Sequence, residues 1–179
     1  LRRALAIREA ALGPEHPDTA ISLNNLAGLL ETQGRYDEAE PLYRRVLTIH
    51  EEALSPENSF AATSLNNLAG LLQSQGRYDE AEPLFRRALA IREATLGLHN
   101  PDTAESLSNL AVVLQTQGRY DEAEPLHRRA LTIHEEALGP DHPDTAASLG
   151  HLAEVLRVQG RYEAEPLFRR ALAIREATL

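Results

Sequence analysis

The chain has 179 residues and a formal charge of −9, from 18 basic and 27 acidic side chains, and it has no cysteine. The acidic balance disfavours nonspecific nucleic-acid binding, and the missing thiols exclude disulfides, thiolate metal sites and cysteine nucleophiles together. Aromatic residues make up only 4%, with no Trp or Met. The apolar content is mostly Leu and Ala, strong helix formers, so the expected class is all-α. No apolar stretch approaches the roughly 18–20 residues that span a bilayer. The expected setting is therefore cytoplasmic with no membrane partner, although the chain opens at Leu1 in mid-pattern, as an excised fragment would.

Residues 1–12 read as the tail of a helix, because AIREAAL returns later in close variants at the ends of longer helices. A 42-residue unit then recurs over 13–54, 55–96, 97–138 and 139–179, the last one residue short. Each unit predicts two helices. In the first (helix A), Leu23, Leu26, Ala27 and Leu30 recur at i, i+3, i+4 and i+7, one stripe of an α-helix. His16-Pro17-Asp18 signals its start, and Asn58, Asn100 and His142 hold the matching cap position in the later units. Gly34 ends it.

The second helix (helix B) carries a comparable stripe at Ala39, Leu42, Tyr43, Val46, His50 and Ala53. Asp37 is the expected N-cap, with Glu40 completing a capping box. Pro41 falls just beyond the first turn and removes one intrahelical hydrogen bond, yet it recurs at Pro83, Pro125 and Pro166. The Arg44-Arg45 and Glu51-Glu52 pairs read as a solvated outer face. The helix B tails alternate between AIRE and TIHE, an 84-residue super-unit that records duplication of a pair of repeats. Arg8, Arg92 and Arg175 thus share a position with His50 and His134. Arginine is no metal ligand, so a recurring metal site is not expected, and polar packing is. His127 stands where Tyr43, Phe85 and Phe168 stand and reads as a replaced packing aromatic. One residue is missing after Tyr162, which is expected to cost the last helix B its Asp cap and to displace Tyr162.

The recurring strings SLNNLAGLL and GRYDEAEPL, with small and large residues at Leu23, Ala27, Gly34, Tyr36 and Ala39, resemble the tetratricopeptide repeat. The 42-residue form is similar to the repeats of kinesin light chain and its bacterial relatives. That resemblance implies a right-handed α-solenoid of antiparallel helix pairs, with the A helices lining a concave surface that binds proteins or peptides. The face of helix A opposite its apolar stripe then supplies the candidate site. Asn25, Asn67 and Asn109 form a row that ends at His151, and a carboxamide suits the backbone of an extended peptide. Thr63, Glu105 and Glu154 join them, and a cation on the ligand is expected near Glu105 or Glu154. No clustered base, nucleophile or phosphate-cradling loop appears, so neither enzyme activity nor a cofactor is expected. Two other readings are a regulatory arm of a larger bacterial signalling protein and head-to-tail self-association through exposed repeat ends.

Overall fold

The computed structural model describes residues 1–55 and 57–178; Pro56 in the second expected repeat and Leu179 at the end of the fourth lie outside it. Among the described residues the chain is all-α: α1 (Arg2–Leu12), α2 (Pro17–Thr32), α3 (Tyr36–Leu54), α4 (Ser59–Ser74), α5 (Tyr78–Leu96), α6 (Pro101–Thr116), α7 (Tyr120–Leu138), α8 (Pro143–Val158) and α9 (Ala164–Ala177). The class is an α-solenoid of helix pairs. No described helix is long and apolar enough to cross a membrane. The helices fall into two compact units, Leu1–Ile91 and Arg92–Leu179, divided within α5.

Each helix A starts and stops as its residues dictate. The His16 and His142 rings accept from the backbone N–H of Asp18 and Asp144 at 3.1 and 3.2 Å, and Asn100 does the same for Asp102 at 2.9 Å. These side chains satisfy donors that a helix start leaves open. At the other end Gly34 takes φ 72°, and the N–H of Arg35 reaches back to the carbonyl of Leu30 at 2.9 Å. That bond closes a Schellman turn, which a left-handed glycine permits.

Helix B begins differently from expectation. Asp37 is not its cap: α3 and α7 start at Tyr36 and Tyr120, with Arg35 and Arg119 at the cap position and no side-chain cap bond. Asp37 sits inside the first turn, where a carboxylate favours the helix dipole. The helix runs unbroken through Pro41 because Pro41 and Asp37 both lie on an exposed face, where water can serve the carbonyl that proline leaves unpaired. The deletion shortens α9 by its first residues, so the loss is of part of a turn and not of an Asp cap. Tyr162 falls in the preceding turn and is 97% exposed, whereas Tyr36, Tyr78 and Tyr120 are half-buried helix starts. The later start also places Pro166 in the first turn of α9, where its missing N–H costs nothing.

The core follows the repeat. In the first unit Ala20 and Leu23 of α2 pack with Val46 and Ile49 of α3, flanked by Leu5 of α1 and by Leu42. Ala62 and Leu65 of α4 pack with Ala88 and Ile91 of α5, flanked by Leu47 of α3 and by Leu84. α2 and α4 are thus each enclosed by their own helix B and the one before it. In the second unit Ala146 and Leu149 of α8 meet Ala171 and Ile174 of α9, with Leu131 of α7 and Leu167 alongside. Burying one such leucine stabilises by about 1.5–3 kcal/mol.

The outer face of helix B is not merely solvated. Arg45 pairs with Glu9 at 2.8 Å and Arg87 with Glu51 at 2.6 Å, each joining a helix B to the preceding one. Arg129–Glu93 and Arg170–Glu135 repeat the contact in the second unit at 2.6 and 2.5 Å. These pairs are invisible to a within-helix reading, because their partners lie 35–36 residues away. Glu40 is held by both Arg44 and Arg77, at 2.7 and 2.6 Å. Burial raises its pKa, but the hydrogen bonds from Arg77 and Arg44 outweigh this and leave the carboxyl below its usual range.

One linker departs from the others. Gly13, Gly97 and Gly139 take φ 93–99°, and Thr19, Thr103 and Thr145 donate to their carbonyls at 2.8–2.9 Å. The second repeat has Ser55 and Ala61 at these places, and Ser55 holds φ 122° with ψ 142°. That region strains a residue with a Cβ. Asn58 compensates by donating to the carbonyls of Ser55 and, at 3.0 Å, His50. Ser55→Gly is expected to stabilise the protein by about 1 kcal/mol in urea denaturation; a loss of stability would show that no strain is stored there.

Candidate functional site

The site rests on a polar seam between each helix B and the helix A that follows. A guanidinium nitrogen of Arg8 lies 2.6 Å from the Ser22 hydroxyl, and His50 Nδ1 lies 2.7 Å from that of Ser64. In the second unit Arg92 reaches Ser106 at 3.1 Å and His134 Nδ1 reaches Ser148 at 2.8 Å. The alternation in the helix B tails therefore has a structural role: arginine and histidine take turns at one hydrogen-bonding position. Burial depresses the pKa of His50 and of His134, which favours the neutral ring at both positions.

Above the His50–Ser64 pair lies a cavity of about 310 Å³ between α2 and α4. Its walls include Ile21, Asn24, Phe60, Thr63 and Asn67. Ile21 and Phe60 are 51% and 59% exposed, unusual for such apolar side chains, and Phe60 stacks at a tilt on His50 with ring centroids 5.6 Å apart. Asn67 donates to Asn24 Oδ1 at 2.8 Å, so the two carboxamides hold one another in place.

Above the His134–Ser148 pair lies a second cavity, of about 390 Å³, between α6 and α8. Asp102, Glu105, Ser108, Asn109, Asp144 and His151 contribute to its walls. Glu105 accepts from Arg92 at 2.8 Å, and Arg92 also donates to the carbonyl of Asp102 at 2.6 Å. His151 faces His127, with ring centroids 5.5 Å apart. His127 is fully buried and both of its ring nitrogens lack a hydrogen-bond partner. Burial, and then the neighbouring His151, push its pKa down to about 4.

The structure brings Thr63 and Asn67 together in the first cavity, and Glu105, Asn109 and His151 in the second. Asn25 is exposed on α2 and stands outside the first cavity. Glu154 lies a turn beyond the second, its carboxylate taken by Arg157 at 2.6 Å. A cation near Glu154 is thus supplied by the chain itself. Sequence reasoning missed Phe60, Asp102 and Asp144, which sit in the first turns of their helices and read as cap-proximal residues. The signal that finds them is the 84-residue spacing, since Phe60 and Asp144 are counterparts. Among the described residues no three His, Asp or Glu side chains are placed to hold a metal ion.

The tetratricopeptide repeat profile matches residues 1–52, 60–135 and 102–177. Among solved structures, BtubC (BKLC) from P. vanneervenii is 30% identical with a TM-score of 0.85, over 99% of this chain and 71% of that one. A kinesin-light-chain-like protein of nearly identical TPR-like repeats from Podosopora anserina is also 30% identical, with a TM-score of 0.79 over 99% of this chain and 84% of its own. Apo RapI, at 20% identity and a TM-score of 0.83, shares the fold. Nephrocystin-3 from Xenopus laevis is 48% identical over 44 residues, which is 25% of this chain and 3% of that protein's length.

Proposed function

This chain belongs to the tetratricopeptide repeat family, a fold that generally serves as a protein–protein interaction scaffold, and from that premise we propose that it binds an extended segment of a partner protein along the exposed faces of its A helices. The observation that carries this reading is the recurrence of one cavity between A helices, at the same place in the repeat and 84 residues apart, in each compact unit. Both cavities combine a hydrogen-bonded His–Ser floor with a carboxamide at the wall. Such a site offers donors and acceptors to a peptide backbone and space to its side chains. The first cavity suits an apolar side chain, given Ile21 and Phe60. Asn25, Asn67 and Asn109 are the proposed backbone contacts, with Thr63, Glu105 and His151 shaping what lies beside them. Glu154, already paired, plays a lesser part.

The test compares the wild type with the triple variant Asn25→Ala, Asn67→Ala and Asn109→Ala against an array of extended peptides. At least tenfold weaker binding with unchanged helicity is the expected result. Undiminished binding by the triple variant would place the partner elsewhere, for example on the outer Arg–Glu face of the B helices.

A further inference from the structure

The two cavities are the same site written twice, and their differences are chemical. Ile21 is replaced by Glu105 and Phe60 by Asp144, so two apolar walls become acidic. Asn24 is replaced by Ser108 and Asn67 by His151, which removes the amide–amide hydrogen bond of the first cavity. His151 turns instead to the His127 ring. Ser108 is left 8% exposed, with a hydroxyl that has no hydrogen-bond partner although the residue lines the cavity. Buried hydroxyls are normally satisfied, so the Ser108 hydroxyl in this cavity wall has bonding capacity left for a group that fills the cavity.

Asp102, Glu105 and Asp144 face that space against one guanidinium, Arg92, which is buried beneath Glu105. His134 and His151 are held toward their neutral forms, by burial in both cases and for His151 also by Arg175 beyond it. His142 touches Asp144 from outside at 3.6 Å. The excess is negative, in a chain whose formal charge is −9. Among the described residues no three His, Asp or Glu side chains gather to hold a metal ion, these carboxylates included. Dispersed acceptors suit the guanidinium group, a planar cation with five N–H donors.

We infer that the cavity between α6 and α8 takes the arginine side chain of an extended partner segment, whereas its counterpart between α2 and α4 takes an apolar one. This rests on the peptide-binding reading above and adds the identity of the side chain. The probe is N-acetyl-arginine-N′-methylamide, titrated into the isotope-labelled chain at about 0.15 M salt, where surface attraction is screened within about 8 Å. Amide signals of Ser108, Asn109 and His151 are expected to shift. The citrulline analogue, of nearly the same shape but uncharged, is expected to bind at least tenfold more weakly. Asp144→Asn and Ser108→Ala should each weaken the arginine probe at least threefold with helicity unchanged. Equal binding of arginine and citrulline would overturn the inference, as would shifts spread evenly over the acidic outer faces. Extended peptides that bind the A-helix faces with no preference for arginine would also overturn it, and would leave the peptide-binding reading standing. Arginine captured in this cavity while no extended peptide binds would support the cavity's chemistry and remove the peptide reading alone.

Discussion

Replacing His127 with phenylalanine is expected to stabilise the protein by about 1–3 kcal/mol at neutral pH, the range for relieving buried polar atoms that lack partners. His127 is fully buried with both ring nitrogens unpaired, while Phe85 fills the same place in the second repeat at 1% exposure. The gain should grow in acid. The unfolded imidazole takes up a proton near its usual pKa of 6.5, but the folded ring is held near 4. The wild type therefore keeps its full stability above about pH 6.5 and loses it as the pH falls toward 4, by on the order of 3 kcal/mol. The phenylalanine variant has no proton to take up at this position and should lack this part of the slope. Urea denaturation of both proteins between pH 4 and 7 gives the comparison. If the two curves run parallel across that range, His127 is not the buried neutral ring described above.

Arg92→Ala is expected to cost about 3 kcal/mol, while Arg92→His should cost about 1 kcal/mol. Arg92 is 5% exposed and donates to the Asp102 carbonyl, the Glu105 carboxylate and the Ser106 hydroxyl. Alanine leaves a void and removes every one of these bonds. Histidine keeps the bond to serine, because His50 and His134 make the same contact from the same position. It gives up the tie to Glu105, which is 59% exposed and rehydrates. The free energies of unfolding of the two variants decide the matter, and equal losses would mean that the alternation of arginine and histidine has no bonding role.

Much of the fold was legible because helical periodicity and the cap residues are local. Leu23, Leu26, Ala27 and Leu30 announce the buried stripe of α2, and His16 and Gly34 bracket it. The failures arise where the partner is distant. Arg45 and Glu51 looked like a solvated face within their own helix, yet each is claimed by a residue of an adjacent repeat. Asp37 looked like a cap because Asp often caps, but the turn enters the helix two residues earlier, with Arg35 at the cap position. The candidate site was half legible. Asn67, Glu105, Asn109 and His151 line the cavities from the predicted face of helix A, whereas the walls from the first turns, Phe60 and Asp144, stand out only when residues 84 apart are paired, which a helix-by-helix reading does not do.

The His–Ser seam is the same beneath both cavities, while five positions above it, at 21/105, 24/108, 60/144, 63/147 and 67/151, carry different chemistry. The frame and its contents are thus set by separate residues. Mutation at those five positions changes what the surface presents and leaves the alanine and leucine contacts between helices untouched. A gene built this way can lengthen by copying a pair of repeats and then diverge at a few codons, acquiring a new preference without first finding a new fold.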